Sequence, residues 1–111
     1  MDISFGLAKA PAIAKEKTVT RRDWSDKYAA RFAPGTVHRA WNVAPFAGGK
    51  VIGQIEIVSI KREPLKCLIE NPDYAEDELY KEGGLWTLPE FLKIFEELRF
   101  GDPFRIEFKW L

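Results

Sequence analysis

The chain has one cysteine, one histidine and one methionine among its 111 residues. A single thiol can neither close an internal disulfide nor build a cysteine-based zinc site, so Cys67 reads as a small apolar packing group. A nucleophilic cysteine would need a base, and His38 is the one imidazole in the chain. Long apolar runs are missing as well. A membrane-spanning helix needs about 18 consecutive apolar residues, and every stretch here is broken earlier by Lys, Arg or Glu. Asp2 stands where a secretory leader would carry positive charge. These absences predict a reduced, cytoplasmic setting with no membrane partner. No GxGxxG run occurs, and "EGGLW" (82–86) lacks both the spacing and the Lys-Ser/Thr of a phosphate loop. With no metal-ligand motif either, neither a metal nor a cofactor is expected.

What the chain has is a hydrophobic fraction of 46% beside 31% charged residues, the balance of a folded globular domain. At this length one hydrophobic core is expected, hence a single domain over 1–111. The net charge of zero conceals an asymmetry. Residues 1–63 hold eleven Lys or Arg against six Asp or Glu, and residues 64–111 hold six against eleven. Such a split fits a polyanionic partner on one face, such as a nucleic acid, and equally fits two halves whose charges interleave in space.

Patterning gives a mixed α+β chain. "GLAKAPAIAKE" (6–16) has helical composition after Pro11, and "DWSDKYAARF" (23–32) reads as a further short helix. "TVHRAWNV" (36–43) alternates as a strand, with Val37, Arg39, Trp41 and Val43 on the side assigned to the core and His38 on the other. "KVIGQIEIVSIKRE" (50–63) is dense in β-branched residues and reads as a long strand. Asn71-Pro72 opens a helix that stops at Gly83-Gly84. Thr87 and Glu90 form a capping box ahead of a Leu88, Phe91, Leu92, Phe95 and Leu98 stripe, which reads as core. The closing "PFRIEFKWL" alternates as a half-buried strand. Strands and helices do not alternate regularly, so a small, mainly antiparallel sheet or barrel with flanking helices is favoured over parallel βαβ winding.

The runs "KEKTVTRR", "APGTVHRAW", "VIGQIEIVSIKR", "DELYKEGGLWTLPEFLKIF" and "FRIEFKWL", in this order over residues 3–111, resemble the ASCH domain family. That resemblance implies a PUA-like β-barrel with a cleft between barrel and helices, and a role in binding RNA or nucleotides. Small bacterial members with the Lys-Thr-x-Thr run and the "IEFK" ending are similar to amidohydrolases that remove the acyl group of N4-acetylcytidine, and others are thought to cleave RNA. Carried over by position, the family's catalytic lysine and threonine fall on Lys17 and Thr20 and its acid on Glu82. The loop after Glu82 differs in length from the small amidohydrolases, which leaves Glu78 as the alternative acid.

The chemistry suits those residue types. A threonine hydroxyl attacks an amide only with a base beside it, and a neutral lysine is such a base where burial or neighbouring cations lower its pKa. If the chain left its helix near Lys17 with one more turn, Lys17, Thr20 and Arg21 would share a face. Arg21 and Arg22 would supply the cations or hold phosphate. Trp86, beside the Gly-Gly loop, is the expected platform for stacking a base. Two readings therefore stand. A hydrolase needs Lys17, Thr20 and an acid converging on an enclosed pocket, whereas a non-catalytic RNA-binding or adaptor module needs an open basic groove.

Overall fold

A computed structural model of the chain describes residues 2–6 and 9–111. Its elements are β1 (Asp2–Ser4), α1 (Lys9–Ile13), β2 (Val19–Arg22), α2 (Asp26–Ala29), β3 (Val37–Trp41), β4 (Val51–Arg62), α3 (Lys66–Glu70), α4 (Pro72–Lys81), α5 (Leu88–Ile94) and β5 (Phe104–Trp110). The five strands form one curled sheet in the order β1-β3-β4-β5-β2. The architecture is α+β and the sheet is mixed, because β1 runs parallel to β3 while the other pairings are antiparallel.

β4 is the spine of the sheet. Its twelve residues pair with β3 through Val51–Glu56 and with β5 through Ile55–Arg62, and the register shifts between Ile57 and Ser59. A second shift lies between Ala40 and Trp41 of β3. Extra residues of this kind strengthen twist, and here they accompany the curl that brings the two edge strands toward each other.

Two apolar clusters divide the interior. One fills the concave sheet with Ile3, Phe5, Phe32, Ala40, Ile55, Ile57, Ile106 and Phe108. The other joins the helices through Leu68, Ala75 and Phe91, with Leu65, Tyr74, Trp86 and Phe95 packed around them. The Thr87–Glu90 capping box is present in both directions, and Pro89 sits in the first turn of α5. Ser25 caps α2 by accepting from the Tyr28 amide.

Several local expectations are corrected. In β3 the faces are reversed. His38 and Ala40 are buried, Val37 and Arg39 are exposed, and Trp41 is half-buried. The reason is visible in the neighbours: the His38 ring lies 4.3 Å from Phe32 and its Nε2 is 2.8 Å from Thr36 Oγ1, so an aromatic, hydrogen-bonded imidazole takes the inner place. α1 includes Pro11 instead of following it. Asn71 precedes α4 without capping it by side chain, and its amide nitrogen donates to the Cys67 carbonyl instead.

Candidate active site in the sheet seam

The strands at the two edges of the sheet, β1 and β2, are not paired with each other. Arg22 bridges them, Nη2 donating to the Ser4 carbonyl at 2.7 Å. Along this seam lies a cavity of about 300 Å³. One wall is the chain around β1 and β2, including Phe5, Lys17, Thr20, Arg21, Arg22 and Asp23, and the facing wall is Glu82, Trp86, Phe91, Ile94 and Phe95. The cavity therefore has a charged side and an aromatic side, and it sits between the sheet and the helical cluster.

All six residues singled out in the sequence line it: Lys17, Thr20, Arg21, Arg22, Glu82 and Trp86. Their route to it differs from expectation. No helical turn carries Lys17 and Thr20, because Thr20 lies in the extended strand β2 and Lys17 stands two residues before that strand begins. Backbone bonds set the entry of the chain instead. The Thr18 amide donates to the Lys81 carbonyl at the end of α4, the Phe108 amide donates to the Thr18 carbonyl, and the Trp110 indole N–H donates to the Lys17 carbonyl at 2.8 Å.

Lys17 is 2% exposed, and its Nζ donates to both the backbone carbonyl and Oε1 of Glu82, each at 2.8 Å. Glu82 is delivered by the last turn of α4, whose chain turns away at Gly83 with φ +121°. A Cβ on Gly83 would lie 2.8 Å from Pro11, so the positive φ and the close approach of α1 both favour glycine there. Burial lowers the Lys17 pKa, the Glu82 charge opposes that, and the charges of Arg22 and Arg21 reinforce it. The ammonium is consequently held by one carboxylate in a setting that favours its release of a proton.

The adjacent arginines do different things, as alternation along a strand requires. Arg22 runs toward the seam, its Nε lying 3.3 Å from Thr20 Oγ1, to which it donates. Arg21 points to the helical side, is 5% exposed, and gives Nη1 to Glu82 Oε2 and Nη2 to Glu63 and Glu78. Both terminal nitrogens of its guanidinium are therefore engaged by carboxylates, three in all. The reason is charge pairing across the sequence. Two cations of the basic half, Lys17 and Arg21, meet Glu78 and Glu82 of the acidic half, so at this site the charges interleave.

Glu78 is fully buried and is not a wall of the cavity. Burial acts to raise its pKa, but hydrogen bonds and charge from Arg105 and Arg21 outweigh that and hold it at about 2. Arg105 grips both its oxygens, and Tyr74 adds a hydroxyl hydrogen bond. Of these two glutamates Glu82 is the one at the cavity, and Glu78 stands behind Arg21. Trp86 is half-buried against Phe91, at 5.7 Å between ring centres, with Lys17 Nζ 6.0 Å from its own ring. It is a wall facing the lysine instead of a fully exposed platform. Trp24 packs on Phe32 and Tyr28 at the edge of the sheet core. Among the described residues no cluster of His, Cys, Asp and Glu is arranged to hold a metal ion, and no helix is long and apolar enough to cross a membrane.

Sequence reasoning missed Glu63, Tyr74 and Arg105, which brace Arg21 and Glu78. Arg105 occupies the polar alternation of β5 yet is buried, and nothing in local periodicity distinguishes it from Lys109 of the same strand, which is exposed.

No known family and no curated protein matches the chain by sequence. Its fold is shared. The chain is similar to protein PF0455 from Pyrococcus furiosus, solved by NMR in solution, with a TM-score of 0.61, 16% identity, and coverage of 100% of this chain and 98% of that one. At that identity the likeness is one of fold.

Proposed function

We propose that this protein is an ASCH-like member of the PUA-like barrels and an amidohydrolase that removes the acyl group from the exocyclic nitrogen of a modified nucleoside of the N4-acylcytidine type. The observation that carries this reading is the convergence of Lys17, Thr20 and Glu82 on one cavity with an aromatic opposite wall. The competing binding-only reading asked for an open basic groove, and the burial of Arg21 among three glutamates counts against it.

In this reading the base lies against Trp86, with its acylated nitrogen toward Lys17 and Thr20. Thr20 Oγ1 attacks the acyl carbonyl carbon while its proton passes to the neutral Lys17 amine, directly or through one water. In the resting arrangement Lys17 donates to Glu82, so the lysine must release a proton before it can accept one. Burial of Lys17 favours that release. Arg22 Nε, which donates to Thr20 Oγ1, holds the nucleophilic oxygen in place, and the negative charge of the addition step develops on the former acyl carbonyl oxygen. The tetrahedral intermediate collapses by breaking the carbon–nitrogen bond, and the Lys17 ammonium returns the proton to the departing amine. Water then attacks the acyl-threonine ester with Lys17 again as base, releasing the carboxylic acid and restoring the hydroxyl. Glu82 orients the lysine through both stages.

The test is incubation of the purified protein with N4-acetylcytidine, cytidine release being read by chromatography, with short RNAs assayed in parallel for binding and cleavage. Turnover of the acylated nucleoside that is lost in Thr20→Ala supports the proposal. Binding or cleavage of RNA without deacylation overturns it.

A further inference from the structure

Behind the cavity, six ionisable side chains are packed away from water in alternating charge. Lys17 holds Glu82. The second oxygen of Glu82 takes Arg21 at 2.9 Å, Arg21 takes Glu63 and Glu78 at 2.7 Å each, and Arg105 takes Glu78. Three cations and three anions balance, so the cluster is neutral while Lys17 is protonated. Only Lys17, Arg21 and Glu82 of the six touch the cavity. Glu63 and Glu78 take Arg21 by Nη2, the terminal nitrogen that Glu82 does not use, and the Tyr74 hydroxyl lies within hydrogen-bond distance of both of those carboxylates.

This arrangement is more than a brace for folding. A carboxylate shared between two cations divides its charge between them, and each hydrogen bond it makes to one weakens what it offers the other. Glu82 is in that position between Lys17 and Arg21. How hard Arg21 pulls on Glu82 depends in turn on what Glu63 and Glu78 take from it. The neighbours that face Lys17 itself are Glu82 from the end of α4, Arg21 and Arg22 from β2, and the Trp86 ring.

We propose that Arg21, Glu63 and Glu78 are positioning residues of the candidate site, a relay of ion pairs that sets through Glu82 how firmly Lys17 keeps its proton. The inference rests on Lys17 being the base of the proposed reaction, but its physical content is the coupling of Glu63 and Glu78 to Lys17 across two intervening side chains. Neutralising either glutamate removes negative charge from the cluster and weakens one of the two holds on Arg21 Nη2, so that Arg21 draws harder on Glu82. Both effects loosen the proton on Lys17.

The experiment is an NMR titration of lysine side chains in the intact, isotope-labelled protein, the Lys17 resonance being assigned by its loss in Lys17→Ala. In Glu78→Gln and in Glu63→Gln, the Lys17 midpoint is expected to move downward by about one pH unit, the size of effect that one charge exerts over a few ångströms of partly buried medium. Glu56→Gln is the control, since Glu56 lies on β4 and pairs with Lys109, away from the relay. An unmoved Lys17 midpoint in either folded glutamine variant, or an equal shift in Glu56→Gln, overturns the proposal. Two glutamine variants are used so that failure of one to fold leaves the other to decide. Because the readout is a titration and not turnover, a protein that hydrolyses no acylated nucleoside can still show the relay, and the two proposals fail separately.

Discussion

The Nζ of Lys17 lies 2.8 Å from Glu82 Oε1 and the same distance from the Glu82 carbonyl, so one residue holds the lysine by both its side chain and its backbone. The carbonyl is exposed to the lysine because α4 ends there, and it is one of the unpaired acceptors that every helix leaves at its C-terminus. The helix end thus supplies half of the grip on the candidate base.

Lys17 and Thr20 are expected to behave as one unit. Lys17→Ala, Thr20→Ala and the double variant should retain similar residual deacylation instead of multiplying their losses. Thr20→Ser should keep part of the activity, since it preserves the hydroxyl. Steady-state kinetics on N4-acetylcytidine checks this, and multiplicative losses would argue against a shared step.

The pH dependence follows from the direction of the Lys17 shift. The free amine is the working form, so kcat/KM should rise with pH and level off above the Lys17 pKa. Burial lowers that pKa, which places the midpoint below that of an ordinary lysine, about 10.4. A pH–rate profile with activity greatest at the acid end would contradict the assignment.

Stability should respond to acid through Glu78. Its folded pKa of about 2 lies below the ordinary carboxyl value of 4.5, so the stability it contributes is present above pH 4.5 and is lost as the pH falls toward 2. The gap corresponds to something on the order of 3 kcal/mol. Urea unfolding midpoints measured from pH 6 to pH 2 should show a steep loss in the wild type and a shallower one in Glu78→Gln. Parallel curves for the two proteins would mean that Glu78 is not held as described.

Trp86 should matter for affinity more than for the chemical step. A stacked base is worth about 1–3 kcal/mol, so Trp86→Leu, which keeps an apolar side chain against Phe91, should raise KM roughly tenfold and leave kcat within a few-fold. An equal fall in kcat with unchanged KM would place the indole in the reaction instead of in binding.

Some of this was legible in sequence because the signals are local. The Thr87–Glu90 box, the length of β4 and the alternation of β5 are each decided within a few residues, and each stands in the structure. β1 and β2 are three and four residues long and owe their form to pairing with β3 and β5, so no period could announce them. Once β2 is a strand, the opposite fates of Arg21 and Arg22 follow from simple alternation. Reading the same run as a helical exit hid that. The faces of β3 were misassigned because Val37 looked like core and His38 did not, and only Thr36 and Phe32 make burial of the imidazole acceptable. Lys17, Thr20 and Glu82 were named through family resemblance, whereas the partners of Arg21 lie 42 to 61 residues away and were beyond any pattern in the chain.

The buried ion pairs also bear on how the protein assembles. They join segments far apart in the chain, Lys17 to Glu82 across 65 residues and Arg21 to Glu78 across 57, and they tie the segment at Lys17, β2, the end of β4, α4 and β5. A collapsed intermediate lacking any one of those segments would strand a charge away from water, at a cost of several kcal/mol. That cost predicts that the region between β2, α4 and β5 loses its water late in folding, once these partners have met. Substitutions there should chiefly speed unfolding and leave the folding rate nearly unchanged, a pattern that stopped-flow measurement on Glu63→Gln would reveal.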